Sequence, residues 1–267
     1  MDTLTCESWV EKHDMIEDYL GRSQIVEGIE LFPISIFDWE EFEKIAPHYL
    51  SYGYNFIKFK LKPTQEDVRP FDLIVSFLAN EILETKDMQC SSVVNIERMF
   101  SLATKTEVTF KMLDDGKWGF EVGDKYITRD NYDAIREVIM RQNLIFEPLI
   151  VEDAYTQKII DKAIKSKNRG GGAFDFQSML VYVCNRRNFT PQQLSSYTYY
   201  QLRCDNEMIQ RMEYNDSIHH YRSQGAKVDS INVYKPMETL SNPYSWDKFF
   251  TKIDSSSDSK MERLMKG

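Results

Sequence analysis

Residue types that can do chemistry are scattered along this chain, and their spacing decides which of them could act together. His219 and His220 are the one adjacent histidine pair. A zinc site on a helix usually needs histidines about three residues apart, so that both face one ion. Neighbouring helical residues point about 100° apart, so this pair reads as surface histidines of a polar helix. His13 and His48 are distant in sequence. Asp114-Asp115 and the group Asp38, Glu40 and Glu41 are carboxylate clusters of the kind that bind metal or serve as acid and base. A hairpin turn and a helix start account for them without catalysis, since the helix dipole favours acids in the first turn. Neither a GxSxG nor a Cys/His signature marks a nucleophile.

Gly170-Gly171-Gly172 follows a basic run, KSKNR, and superficially resembles a phosphate cradle. A P-loop places its lysine after the glycines and follows a buried strand. Here the lysines precede them on a helical stretch, so a hinge between helices is the expectation. Lys158, Lys162, Lys165, Arg186 and Arg187 form a basic patch within an acidic chain. With the turn at 188–191 it suggests helix-turn-helix recognition of DNA. A solvated helix face has the same composition, and Asp205, Glu207, Glu213 and Asp216 on the next helix would repel phosphate. An acidic protein partner reads the patch equally well. Tyr197, Tyr199, Tyr200, Met208, Met212 and Tyr214 make an aromatic and methionine band. Such a band serves either as core or as a partner-binding surface, where an amphipathic ring or an adaptable thioether is useful.

The elements that must carry these residues follow from periodicity. A first helix is expected over 5–20, then strands or an extended arm over 25–36 around Pro33. Asp38 is expected to cap a helix over 39–49. A strand over 54–61, an apolar helix over 71–83 and another helix over 93–102 come next. Strands over 107–113, 118–122 and 126–127, joined at Asp114-Asp115-Gly116 and Gly123-Asp124, form a meander. After Thr128 the pattern turns helical. Tyr132, Ile135, Val138 and Ile139 make one stripe, with Thr128 or Asp130 as its cap. Further helices are expected over 153–167, 175–187, 191–195 and 198–223, with Thr190-Pro191 as a start signal and Gly225 as a stop. The fold class is therefore α+β, with a small antiparallel sheet and helices in the N-terminal half and a helical bundle in the C-terminal half. Three segments are expected: 1–128 mixed, 129–253 helical, and 254–267 a Ser-rich spacer with a short terminal helix.

Bulk properties narrow the function classes. With 33 basic and 42 acidic residues among 267, the net charge of −9 opposes general nucleic-acid binding. No run approaches the roughly 18 apolar residues of a membrane span. The acidic opening MDTLTCESWVEKHDMIEDYL does not read as a signal peptide. Cys6, Cys90, Cys184 and Cys204 are scattered and read as reduced thiols of a cytosolic protein.

Two stretches carry a resemblance. VGDKYITRDNYDAIREVIMRQN (122–143) holds Ile127-Thr128, then Ile135-Arg136-Glu137-Val138-Ile139, then Gln142-Asn143. The segment 174–226 holds Leu194-Ser195-Ser196-Tyr197-Thr198-Tyr199-Tyr200. These, with the arm GIELFPISIFDWEEFEKIA (28–46), resemble tail-assembly, chaperone-like proteins of tailed bacteriophages that infect Gram-positive bacteria. The likeness covers about half the chain. It implies no catalytic residue, cofactor or metal, and a non-enzymatic role in holding tape-measure helices until the tail tube polymerises around them. Partners would be tape-measure or baseplate proteins, or a second copy, in the host cytoplasm or the virion. A structural component of tail or baseplate is the first alternative, and a DNA-binding regulator the second.

Overall fold

A computed structural model of the protein describes residues 15–52, 69–147, 155, 158, 162 and 175–242. Residues 15–19 are helical, and a hairpin follows. Strand β1 (Gln24–Val26) pairs antiparallel with β2 (Ile29–Leu31), Val26 opposite Ile29. The turn needs two left-handed residues, supplied by Glu27 (φ 48°) and Gly28 (φ 80°). In β2 the side chains alternate, Ile29 and Leu31 inward and Glu30 outward.

Helix α1 (Trp39–Ala46) buries Trp39, Phe42 and Ala46, a stripe at helical spacing. Asp38 stands at its cap position, but its side chain does not cap the helix. Its Oδ2 accepts the Ser35 hydroxyl at 2.8 Å, so it fixes the incoming arm instead. The chain continues through a π-helical turn, Pro47–Tyr52. Helix α2 (Pro70–Thr85) opens with proline, whose missing N–H is harmless in the first turn. Helix α3 (Ser91–Thr104) leads into the meander β3 (Val108–Met112), β4 (Trp118–Val122) and β5 (Lys125–Ile127).

The three strands are antiparallel in the order β3-β4-β5, with Phe110 opposite Phe120 and Phe120 opposite Ile127. The Asp114-Asp115-Gly116 cluster is a turn: Gly116 has φ 78°, and Asp115 Oδ1 accepts the Lys117 N–H at 3.0 Å. Helix α4 (Tyr132–Gln142) starts later than Thr128 or Asp130 would set it. Asn131 takes the cap position, and its Oδ1 accepts the Thr128 N–H at 2.8 Å. Phe71, Phe100, Phe120 and Tyr132 pack ring against ring at the centre, the Phe100 and Phe120 centroids 5.1 Å apart.

Helices α5 (Phe176–Arg187), α6 (Pro191–Ser195) and α7 (Tyr199–Ser223) follow, then a short 3-10 turn, Glu238–Leu240. The fold is α+β, with two small antiparallel sheets among the helices. The contacts divide the chain into one unit of Met1–Ile145 with Asp175–Leu240, and a second of Phe146–Phe174 with Ser241–Gly267. The break expected after residue 128 therefore falls inside the first unit, because Tyr132, Ile135 and Ile139 share one core with Phe100, Phe120 and Ile127. Helices α5 to α7 belong to that unit too. In the second unit, residues 155, 158 and 162 are helical. The strand expected over 54–61, the Gly170–Gly172 hinge and the segment 254–267 lie outside the described residues. Among the described residues, no helix is long and apolar enough to cross a membrane.

Candidate functional site on the long helix

Helix α7 is started by a reciprocal cap. Thr198 Oγ1 accepts the Gln201 N–H at 3.2 Å, and Gln201 Oε1 accepts the Thr198 N–H at 2.9 Å. The cap is joined to the N-terminal arm. Ser35 and Thr198 form a β-bridge, and the Ile36 N–H donates to Tyr197 O at 3.0 Å. Gln201 Nε2 donates to Tyr19 O at 2.9 Å. The helix start is thus a structural joint.

The aromatic and methionine band does not form one surface. Tyr199 stacks on Trp39 with centroids 3.5 Å apart, and Tyr200 is buried. Tyr197 packs with Phe189 in a second core built on Ile36, Met179, Val183 and Leu202. Its hydroxyl donates to Asp205, which also accepts Tyr19 Oη at 3.2 Å and Arg187 at 2.5 Å. Burial, then the Asp205 carboxylate, push the Tyr197 and Tyr19 phenols up from their ordinary range. These three tyrosines make their contacts within the fold. Met208 is half-buried, while Met212 and Tyr214 are exposed. Tyr221 on α7 and Tyr234 beyond it are exposed as well.

The basic patch is likewise divided. Arg186 pairs with Glu213 and Arg187 with Asp205. Each arginine is thus matched locally by a carboxylate of α7, the wrong starting point for neutralising DNA phosphates. Lys158 and Lys162 are exposed in the second unit, and Lys165 lies outside the described residues. His219 and His220 are exposed on α7. Among the described residues, no three His, Cys, Asp or Glu side chains are grouped to hold a metal ion. A groove of about 460 Å³ beside α3 is lined by Asp38, Arg98, Lys105 and Glu107, among others. Arg98 is already engaged by Glu41 at 2.8 Å, and Lys105 lies over the Phe32 ring.

The distal half of α7 carries an arrangement that the sequence reading did not single out. Glu207, Arg211, Asn215 and Arg222 recur at intervals of four, four and seven, which places them along one helical face. Residues 228–239 run back beside them. Arg222 Nε donates to Val228 O at 2.8 Å. Asn215 Nδ2 donates to Ile231 O, and Asn215 Oδ1 accepts the Ile231 N–H, both at 2.8 Å. Arg211 donates to Lys235 O at 2.7 Å and Pro236 O at 2.8 Å, while Glu207 Oε2 accepts the Thr239 N–H at 2.7 Å. An ion pair of 2.5 Å between Glu207 and Arg211 orients both groups. The sequence signal is a polar stripe of one acid, one amide and two arginines, with Ile218 on the same face. Charge alone makes such a stripe look like a solvated surface, which is why it escapes notice.

No protein-family model, curated protein or solved structure matches the chain.

Proposed function

We propose that the protein is a non-enzymatic assembly factor of a tailed bacteriophage. It acts in the host cytoplasm through protein–protein contacts, holding a segment of the tape-measure protein before the tail tube forms. The resemblance of 122–143 and 174–226 to tail-assembly proteins supports this role. The observation that carries it is the distal end of α7. Met212, Tyr214 and Tyr221 are exposed there, flanking a polar stripe that holds the main chain of residues 228–239. Exposed methionine and tyrosine side chains suit a surface that must adapt to a partner, since a thioether is flexible and a phenol is apolar with a polar tip.

Co-expression with the tape-measure protein of the same phage tests the reading. The tape-measure protein should become soluble and co-purify with this chain, and the double substitution Met212→Glu with Tyr214→Glu should cut the recovered complex by about tenfold, a loss on the order of 1.4 kcal/mol. Equal tape-measure solubility with and without this chain would contradict the proposal.

A further inference from the structure

We infer that the stripe Glu207, Arg211, Asn215 and Arg222 is a binding site for the main chain of a non-helical polypeptide segment, and that residues 228–239 occupy it in cis as a displaceable strap. The inference rests on the assembly role and adds what part of a partner is recognised. Seven hydrogen bonds between these four side chains and the strap end on main-chain atoms: the carbonyls of Val228, Ile231, Val233, Lys235 and Pro236, and the N–H groups of Ile231 and Thr239. Asn215 offers both a donor and an acceptor to one residue, as a neighbouring β-strand does. Arg211 gathers three carbonyls with its fork.

Recognition of this kind tolerates almost any side chain on the occupant. The strap itself bears this out, since Tyr234 is 92% exposed and Ile231 is 40% exposed. A helix interior cannot make these bonds, because its own carbonyls and N–H groups are already paired, so the site takes a non-helical stretch of the partner beside any helices that are held. The partner is therefore a segment with free main-chain groups.

The strap is also built to leave. It is anchored by half-buried Val228, Val233 and Met237, with no fully buried apolar side chain of its own. Opening it exchanges hydrogen bonds to protein for hydrogen bonds to water, which offsets each loss in part. The Glu207–Arg211 pair beneath it becomes hydrated rather than stranded. Gly225, at φ 87° and with open space around it, ends α7 and supplies the pivot.

A fluorescein-labelled peptide of residues 226–240 is the probe, titrated into the full chain and read by anisotropy. The unaltered protein should bind it weakly, because the tethered strap competes at an effective concentration on the order of millimolar. Ile231→Pro with Thr239→Pro removes both strap donors and should tighten peptide binding at least about tenfold. Adding Asn215→Ala to that background should abolish the gain. Binding that the prolines do not improve, or that Asn215→Ala does not reduce, overturns the inference. Amide exchange on the unaltered protein is a second reading that needs no variant. Ile231 and Thr239 should exchange far faster than Leu202 in the core. Exchange of all three together means that the strap opens only on global unfolding, and it also overturns the inference. Capture of the tape-measure protein without peptide binding would reject the strap as a site while leaving the assembly role standing.

Discussion

Asp205 is a junction of side chains. It is buried on α7 and receives hydrogen bonds from Tyr19, Tyr197 and Arg187. The distant Tyr19 thus meets two residues much nearer in sequence on one carboxylate. Replacing it with the isosteric amide removes the charge that all three bonds use. Asp205→Asn is expected to lower stability by about 2 kcal/mol, and Tyr197→Phe by about 1.5 kcal/mol, in urea titrations. Because they share a bond, the double variant should lose clearly less than the sum. Additive losses would mean that the two groups act separately. At this scale the sequence leaves two readings open for a definite reason. Tyr197, Tyr199 and Tyr200 have the composition of an interface, but a tyrosine is equally suited to burial when its hydroxyl finds a partner. The partners, Asp205 and the Trp39 face, lie outside the local pattern.

Among elements, local signals are legible where they are complete within a few residues. The boundaries of α5, α6 and α7 follow their start and stop residues, and Thr190-Pro191 and Thr198 begin helices as their types require. Thr198→Ala should therefore cost about 1 kcal/mol, seen as a lower urea midpoint with unchanged slope. A drop several times larger would mean that the bridge to Ser35 carries more of the joint than the cap does. The starts of α1 and α4 are harder to read. Asp38 turns to Ser35, and Asn131 reaches back to Thr128, so each serves the incoming chain rather than the first turn. The strap on α7 is the least legible of all. Its partners are main-chain atoms, which leave no trace in side-chain type.

For the whole molecule, the division between mixed and helical halves is visible in the sequence, but the division between units is not. Helix α4 looks like the start of a new domain because it follows the last strand, yet its apolar stripe closes the sheet's core. Burial of phenols across this unit also sets its response to alkali. Burial raises the pKa of Tyr132, Tyr197, Tyr199 and Tyr200, and burial followed by the Glu213 hydrogen bond pushes Tyr182 up to about 12. A raised pKa means that the folded state holds its proton after the unfolded state has lost it. That stability is intact below about pH 10 and declines as pH rises through the folded values. Burial also raises the Cys184 and Cys204 thiols, so thermal midpoints should begin to fall above about pH 9 and fall steeply above about pH 10. A midpoint still level at about pH 11.5 would contradict the burial of these rings. The assembly role is a statement about where the molecule goes. Quantitative mass spectrometry of purified particles, set against the lysate that produced them, tests it most directly. The account predicts a chain abundant in the lysate and absent from the particle. A fixed copy number in every particle would contradict it and make the protein a structural subunit of the tail.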